Sequence, residues 1–174
     1  MKLYWSWTEN SIPAHFSVGA VLFDKQTRTV CCHHFLTIPL RWGVNLTPLE
    51  ELYLLARETP ERGEGIEDAI KRGLMEEFGA EGEIVEYLGS IKSHFNGNSR
   101  DIEKTTIYFL VEKTNFSPEK RDPSDPEKES SIEWQPIDFL IGKMRYQQEK
   151  LKSRTDLDES SILDRAKGCI LDKF

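Results

Sequence analysis

Two adjacent glutamates, Glu76 and Glu77, are placed by the residue pattern on the inner side of a helix. At about 100° per residue, the apolar positions share one face, with Glu77 in its middle and Glu76 at its edge. Those apolar positions are Ile66, Ile70 and Leu74. Glutamate is almost never buried unpaired, and two neighbouring carboxylates resist ionising together unless a cation lies between them. The pair therefore predicts a site for a hard divalent cation, Mg²⁺ or alternatively Mn²⁺.

An ordinary amphipathic helix is the alternative interpretation of these acids. They would then lie at the margin of the core and pair with a basic side chain. Arg72 could do this for Glu76, which follows it by four residues. For an isolated helix this interpretation would be preferred, and the loop before the helix shifts the balance toward a cation site.

A second cluster of residue types that bind metals is formed by Cys31, Cys32, His33 and His34. Zinc ligands are normally two to four residues apart, whereas these four residues are consecutive. On a strand, Cys31 and His33 would point to one face, and Cys32 and His34 to the other. We therefore expect a structural, half-buried strand without zinc. The odd number of cysteines favours reduced thiols in a cytoplasmic protein.

The elements that must position these residues follow from hydrophobic periodicity and turn residues. Strands are predicted over 15–24, 29–35, 52–57, 84–93, 105–112 and 132–136. Helices are predicted over 66–78, 138–152 and 158–171, and Gly79 is placed to cap the first of them. Strands and helices are mixed without regular alternation, which predicts an α+β fold or a three-layer α/β/α sandwich. The length predicts one domain over residues 1–174, with C-terminal helices at about 138–172.

The loop and helix between Leu55 and Ala80 carry a recognisable spacing of acidic, basic and glycine residues. The residues that define it are Glu64, Arg72, Leu74, Glu76, Glu77, Gly79 and Ala80. This segment resembles the box of the Nudix hydrolases. That box is a glycine, five residues, a glutamate, seven residues, then Arg-Glu-apolar-any-Glu-Glu-any-Gly-apolar. The resemblance extends from Phe16 to about Leu140 and implies the Nudix fold with a mixed sheet.

Two positions depart from the box. Glu58 stands where the box opens with glycine, and Gly73 stands where it has the glutamate after its arginine. The family uses that first glycine largely through its backbone, although a bulky side chain there could obstruct the site. The missing glutamate is a metal ligand or the general base in the family, and glycine inside a helix costs about 1 kcal/mol relative to alanine. Either another carboxylate has taken over, or activity is weak or lost.

The resemblance implies a Mg²⁺-dependent hydrolase that cleaves a pyrophosphate linkage in a nucleoside diphosphate derivative. Its catalytic residues would be Glu76, Glu77 and Arg72, and its metal ligands Glu76, Glu77 and Glu64. Arg72 would orient the carboxylates rather than touch phosphate. The alternative is a weak or inactive Nudix-fold module that binds a nucleotide without cleaving it.

The general base and the substrate contacts are predicted less directly. The candidates for the base are Glu127, Glu129 and Glu133 of the late loop and strand. The candidates for substrate binding are Arg57, Lys92 and Lys104 for phosphate and Tyr108 for stacking on a base. A solvated surface charge is the alternative for each cation, and a core position is the alternative for Tyr108. The segment Lys104–Leu110 resembles a strand of the diadenosine polyphosphate hydrolases, which implies a dinucleoside polyphosphate as substrate.

Composition limits the partners. The formal net charge of −7 argues against unassisted binding to nucleic acid. The longest apolar stretch, Phe16–Phe23, is far too short for a membrane span, and the N-terminal residues do not predict a secretory signal. We expect a small-molecule nucleotide as partner, without nucleic acid or membrane. The oligomeric state stays open.

Overall fold

The computed structural model describes residues 4–6, 13–37, 49–97, 100–125, 127–151 and 155–173. The strands are β1 (Tyr4–Ser6), β2 (Pro13–Asp24), β3 (Thr29–Phe35), β4 (Leu52–Leu54), β5 (Ala56–Glu58), β6 (Ala80–Gly97), β7 (Arg100–Phe116) and β8 (Ser131–Pro136). The α-helices are α1 (Ile66–Phe78), α2 (Ile137–Lys150) and α3 (Ser160–Lys173), with 3₁₀ turns at Pro118–Lys120 and Thr155–Leu157. None of the helices in these ranges is long and apolar enough to cross a bilayer.

The strands form one open, mixed sheet with the central order β4-β3-β2-β7-β6. The long strands β2 and β7 run parallel, and β6 and β7 form an antiparallel hairpin. Strand β5 pairs with β2, and β8 pairs with β3. The mixed sheet implied by the Nudix resemblance is therefore confirmed.

Helices cover both faces of the sheet. On one face, α1 packs Ile70, Leu74 and Phe78 against alternate residues of β2, such as Val18 and Leu22. On the other face, α2 and α3 pack against the intervening residues of the same strands. The predicted three-layer α/β/α sandwich is confirmed. Below, these are called the α1 face and the α2/α3 face.

The predicted bounds of β3 and α1 agree with the structure. Gly79 ends α1 in the left-handed conformation (φ 63°), and its amide donates to the carbonyls of Leu74 and Met75. A side chain at Gly79 would also collide with the backbone of Ser117. Alternation along β3 places Cys31 on the α1 face and Cys32 on the α2/α3 face, as predicted. Helices cover both faces, so the strand is buried on both sides, and the expectation of a half-buried strand is wrong.

Three details differ from the prediction. The segment 52–57 is two short strands rather than one, because the Leu55 amide between them donates to the Glu159 carboxylate (2.8 Å) instead of a neighbouring strand. The hairpin strands β6 and β7 extend well beyond 84–93 and 105–112 at both ends. Ile66, expected on the inner face, is 42% exposed, and contact of α1 with the core begins at Ala69.

Candidate active site

Glu77 is the buried centre of the candidate site. Its side chain is 4% exposed and lies between α1 and the sheet. The backbone amide of Arg57 in β5 donates to Glu77 Oε1 (3.1 Å), and His33 Nε2 in β3 shares a hydrogen bond of 2.7 Å with Oε2. Residues of β3 and β5 therefore bond the Glu77 carboxyl group from the sheet side. Neither bonding group is a permanent cation.

The surroundings of Glu77 disfavour its ionised form. Burial raises the pKa of Glu77 well above its usual range, and the nearby carboxylates Asp125 and Glu58 raise it further. Burial also lowers the pKa of His33 to about 3, with the positive charge of Arg121 acting in the same direction. Both shifts favour the uncharged forms, so an additional cation is what would stabilise an ionised Glu77.

Arg72, one helical turn before Glu76, forms ion pairs with three carboxylates. Its guanidinium donates two hydrogen bonds of 2.8 Å to Glu64, from Nε and Nη2. Its Nη1 lies 3.2 Å from an oxygen of Glu58 and 3.3 Å from an oxygen of Glu76. The bond from Arg72 holds the pKa of Glu64 down at about 2. Arg72 thus joins the loop before α1 to the helix.

The residues 117–125 and 127–130 follow β7, and the first of these stretches is hydrogen-bonded to the C-terminal end of α1. The Ser117 amide donates to the Gly79 carbonyl (2.8 Å), and the Asp122 amide donates to the Glu76 carbonyl (2.9 Å). In the second stretch, Ser130 Oγ shares a hydrogen bond of 2.8 Å with Nδ1 of His33. The first stretch therefore packs beside the helix, and the second reaches the residue that contacts Glu77.

These two stretches bring further acids to the site. Asp125 is buried, and its charge raises the pKa of Glu77. Burial raises the pKa of Glu127, and the negative charges of Glu77 and Asp125 raise it further. Arg121 partly compensates them: it donates to the carbonyl of Glu127 and lies 3.9 Å from the Asp125 carboxylate. The acids around Glu77 therefore outnumber the basic side chains that pair with them, Arg72 and Arg121.

Comparison with known proteins agrees with this geometry. The family model described as the NUDIX domain matches residues 13–155, which is most of the chain. The chain belongs to the NUDIX family. A solved NUDIX hydrolase from Nitrosomonas europaea is 19% identical and superposes with a TM-score of 0.56, covering 88% of each chain, and at this identity the likeness shows the fold. A search of curated proteins finds no match, and the diadenosine polyphosphate branch is not confirmed.

The predicted residues of the Nudix box lie together in the structure. Glu77 is buried as expected, whereas the Glu76 side chain is 38% exposed. Both oxygens of Glu64 accept from Arg72, and one also accepts from the Glu61 amide (2.7 Å). In this arrangement Glu64 is a partner of Arg72, and its predicted role as a metal ligand requires those bonds to be released.

The Arg57 side chain points away from Glu77. Strand alternation sends its guanidinium to the α2/α3 face, where Nη1 donates to the Asp156 carbonyl (2.7 Å) and Nε lies 3.8 Å from Glu159. Only its backbone amide contacts Glu77. Because side chains alternate along a strand, the Arg57 guanidinium and Glu77 lie on opposite faces of the sheet. The predicted contact of Arg57 with phosphate stays a prediction.

Tyr108 lies in the core. It is 1% exposed, and its hydroxyl donates to Glu159 (2.6 Å) on the α2/α3 face. Its ring lies so close to Gly19 that a Cβ at that position would overlap it. Its burial supports the alternative of a core position, and the predicted contact with a substrate base stays untested.

The two predicted lysines lie on the long hairpin away from Glu77. Lys92 is exposed and pairs with Glu103 at 3.0 Å. Lys104 is half-buried, and strand alternation places it on the same side of β7 as Tyr108. Their roles in substrate binding stay predictions.

The three candidates for the general base are separated by the fold. Glu133 lies opposite Cys32 in the sheet, and its carboxylate bonds His34 Nδ1 (2.6 Å) on the α2/α3 face. Glu129 is exposed. Only Glu127 is half-buried and close enough to Glu77 for the two charges to interact.

Two residues of the site, His33 and Asp125, were missed from the sequence. The alternation on β3 assigned His33 to the face of Cys31, and that face turned out to be the α1 face. This was the available signal for a contact with Glu77. Asp125 follows prolines in an irregular segment, where residue spacing carries no information on facing.

The donor types suit a hard divalent cation. Carboxylate oxygens are the ligands that Mg²⁺ prefers in proteins, and Glu76 and Glu77 supply them from consecutive helix positions. Among the described residues, no three acidic, histidine or cysteine side chains are gathered in a geometry that could hold a metal ion. Glu76 points to Arg72 instead of Glu77. The residue types therefore fit Mg²⁺, and binding requires Glu76 to turn away from Arg72.

Proposed function

We propose that this protein is a Mg²⁺-dependent hydrolase, with Mn²⁺ as an alternative cofactor, that cleaves a pyrophosphate linkage in a nucleoside diphosphate derivative. The observation that carries the proposal is Glu77. Its carboxyl group is buried on the Nudix helix among other acids, and its bonds go to a backbone amide and an imidazole. Strongly perturbed carboxyl groups of this kind are characteristic of functional sites.

The side chains would divide the work as follows. Glu76 and Glu77 would hold the ion, while the Arg57 amide and His33 keep the Glu77 carboxyl group in place. When bound, Mg²⁺ supplies charge neutralisation for the diphosphate and lowers the pKa of a bound water. Arg72 would orient Glu76 from the helix turn before it. Each of these residues lies on α1 or on a strand beneath it.

Glu127 is the proposed general base. Its raised pKa makes it a better proton acceptor than an ordinary glutamate, because a base works best with a pKa near the operating pH. It lies in the stretch 127–130, whose residue Ser130 is hydrogen-bonded to His33. Replacement by glutamine should lower kcat and leave KM unchanged, and an unchanged kcat would remove Glu127 from this role.

The substrate class follows from charge and from the resemblance. A chain with a net charge of −7 needs cations to bind a polyphosphate. The resemblance of Lys104–Leu110 favours a dinucleoside polyphosphate among the nucleotides. The alternative function, a module that binds a nucleotide without cleaving it, is favoured by Gly73 in place of the box glutamate.

The test is a turnover screen with Mg²⁺, using nucleoside diphosphate derivatives and dinucleoside polyphosphates and measuring the phosphate-containing products. The wild type should cleave at least one of them, and Glu77→Gln should not. Glu67→Gln, which changes an exposed acid on the same helix, should match the wild type. Binding of a nucleotide without cleavage would support the binding module instead, and neither binding nor cleavage would contradict both functions.

A further inference from the structure

The two positions that depart from the Nudix box lie against each other. Glu58 ends β5, and Gly73 lies on the inner side of α1. A Cβ added to Gly73 would lie 2.7 Å from Cβ and 3.2 Å from Cγ of Glu58. The Glu58 side chain therefore passes through the space that a side chain at position 73 would need.

The same spot is next to Glu77. The Cβ position of residue 73 would be 3.7 Å from Glu77 Oε1. Glu58, Gly73 and Glu77 line one pocket of about 10 Å³, which is about the space of one water molecule. The pocket shows that the two carboxylates and the glycine belong to one site.

The strand explains why position 58 can replace position 73. Glu58 pairs with Val18 and Ala56 pairs with Ala20, and these partners belong to the core beneath α1. Because side chains alternate along a strand, Glu58 points to the helix while its neighbour Arg57 points to the opposite face. A glutamate at the end of β5 and one on α1 thus reach the same place from opposite sides.

The electrostatics agree with a shared site. Glu58 Oε1 accepts from the Thr59 amide (2.6 Å), and Oε2 lies near the Arg72 nitrogen that also contacts Glu76. Burial raises the pKa of Glu58, and the negative charge of Glu76 raises it further. Glu58 in turn raises the pKa of Glu77. Glu58 therefore interacts with both Glu76 and Glu77, and it shares Arg72 as a partner with Glu76.

We propose that glutamate and glycine have exchanged places between positions 58 and 73, so that Glu58 supplies the carboxylate that α1 lacks and joins Glu76 and Glu77 in holding the divalent cation. This inference rests on the proposed function, because it concerns the same ion. It accounts for a glycine inside a helix, where glycine is otherwise unfavourable. The role of Glu58 as a metal ligand is distinct from that of Glu127, which is the proposed general base.

The first test measures Mn²⁺ binding by electron paramagnetic resonance, without substrate. Glu58→Gln should weaken Mn²⁺ binding by about 10- to 100-fold. This is the loss in metal affinity that follows when a hydrogen-bond partner of a metal ligand is removed, and the loss of a ligand itself should be no smaller. Glu67→Gln should bind like the wild type. The double variant Glu58→Gly with Gly73→Glu, which restores the family order, should recover most of the affinity.

The second test measures thermal unfolding of the same proteins without divalent cations. Gly73→Glu alone should lower Tm by about 4 °C or more, because its Cβ overlaps that of Glu58 and overpacking is destabilising. Adding Glu58→Gly should remove that loss. Additive effects of the two substitutions on Tm would show that the positions do not share space.

The outcomes separate the inference from the proposed function. If the wild type binds Mn²⁺ and Glu58→Gln binds it equally well, the exchange is wrong and the hydrolase proposal stands. If Glu58→Gln and Glu77→Gln both weaken binding and the double exchange variant restores it, the exchange is supported. If the wild type does not bind Mn²⁺, the metal-dependent function fails, and with it the role given to Glu58.

Discussion

Two buried glutamates, one on each face of the sheet, have very different surroundings. Glu159 is fully buried and accepts from the Leu55 amide (2.8 Å) and the Tyr108 hydroxyl (2.6 Å), with the Arg57 guanidinium at 3.8 Å. Glu77 is also buried, but its partners are the Arg57 amide and His33. The fold provides a cationic side chain for the first carboxylate and only neutral partners for the second.

Arg57 makes this contrast clear because it touches both glutamates. Its guanidinium points to Glu159 and its amide to Glu77, as alternation along β5 requires. Burying an unpaired charge is costly, so a carboxyl group like Glu159 is explained by stability alone. Glu77 is not, and the additional acids around it increase the cost. This difference supports the proposal that Glu77 binds a cation.

The largest expected effect is the loss of folding stability when Glu159, the glutamate with a cationic partner, is replaced. Glu159→Gln should lower the free energy of unfolding by about 3–5 kcal/mol, because it leaves the buried Arg57 guanidinium without its carboxylate. Urea denaturation measures this loss. A loss below 1 kcal/mol, comparable with a surface substitution, would mean that Arg57 and Glu159 are not the ion pair described.

The next effect concerns His33, which bonds Glu77, compared with its neighbour His34 on the opposite face of the sheet. His33→Ala removes the bond to Glu77 and should lower kcat/KM in the presence of Mg²⁺ by about 10- to 100-fold. His34→Ala is the matched control, because His34 bonds Glu51 and Glu133 on the other face. This variant should turn over substrate like the wild type. Equal losses of kcat/KM in both variants would show that the substitutions disturb strand β3 and that the bond from His33 to Glu77 has no specific role.

The last expected effect is on the pH dependence of stability. The raised pKa of Glu77 means that, above its ordinary value of 4.5, the folded protein keeps a proton that the unfolded chain has lost. Stability without divalent cations therefore falls as pH rises from 4.5 to the raised pKa. Glutamine does not titrate, so Glu77→Gln should be more stable than the wild type at pH 8, by about 1.4 kcal/mol for each unit of raised pKa.

Urea denaturation between pH 5 and pH 8 measures that difference. The advantage of Glu77→Gln over the wild type should grow with pH. A variant that is less stable than the wild type at pH 8 would show that Glu77 is a structural group like Glu159.

The local parts of the fold were predictable because their causes are local. The bounds of α1 follow from its apolar period and from Gly79, which takes the left-handed conformation at its end. Strand β3 and its alternation follow in the same way. The division of 52–57 into two strands was not predictable, because it depends on a bond from Leu55 to Glu159, which is 104 residues away.

The candidate site was predictable only where its residues share one element. The helical period placed Glu77 inward, and the box placed Arg72 beside Glu76. Alternation put His33 on the face of Cys31, but a single sequence does not show which element packs on that face, so His33 was assigned a structural role only. The departures at Glu58 and Gly73 were visible separately, but the contact between the two positions, on which the proposed exchange rests, was not.

Thermal unfolding at pH 8 with and without Mg²⁺ is the most direct test of the claim that Glu77 needs an external cation. Mg²⁺ at about 100 times its dissociation constant should stabilise the wild type and Glu67→Gln by about 2.7 kcal/mol, raising Tm by roughly 5–10 °C. Glu77→Gln should show no such shift. A shift in Glu77→Gln equal to that of the wild type, or none in either protein, would contradict the account.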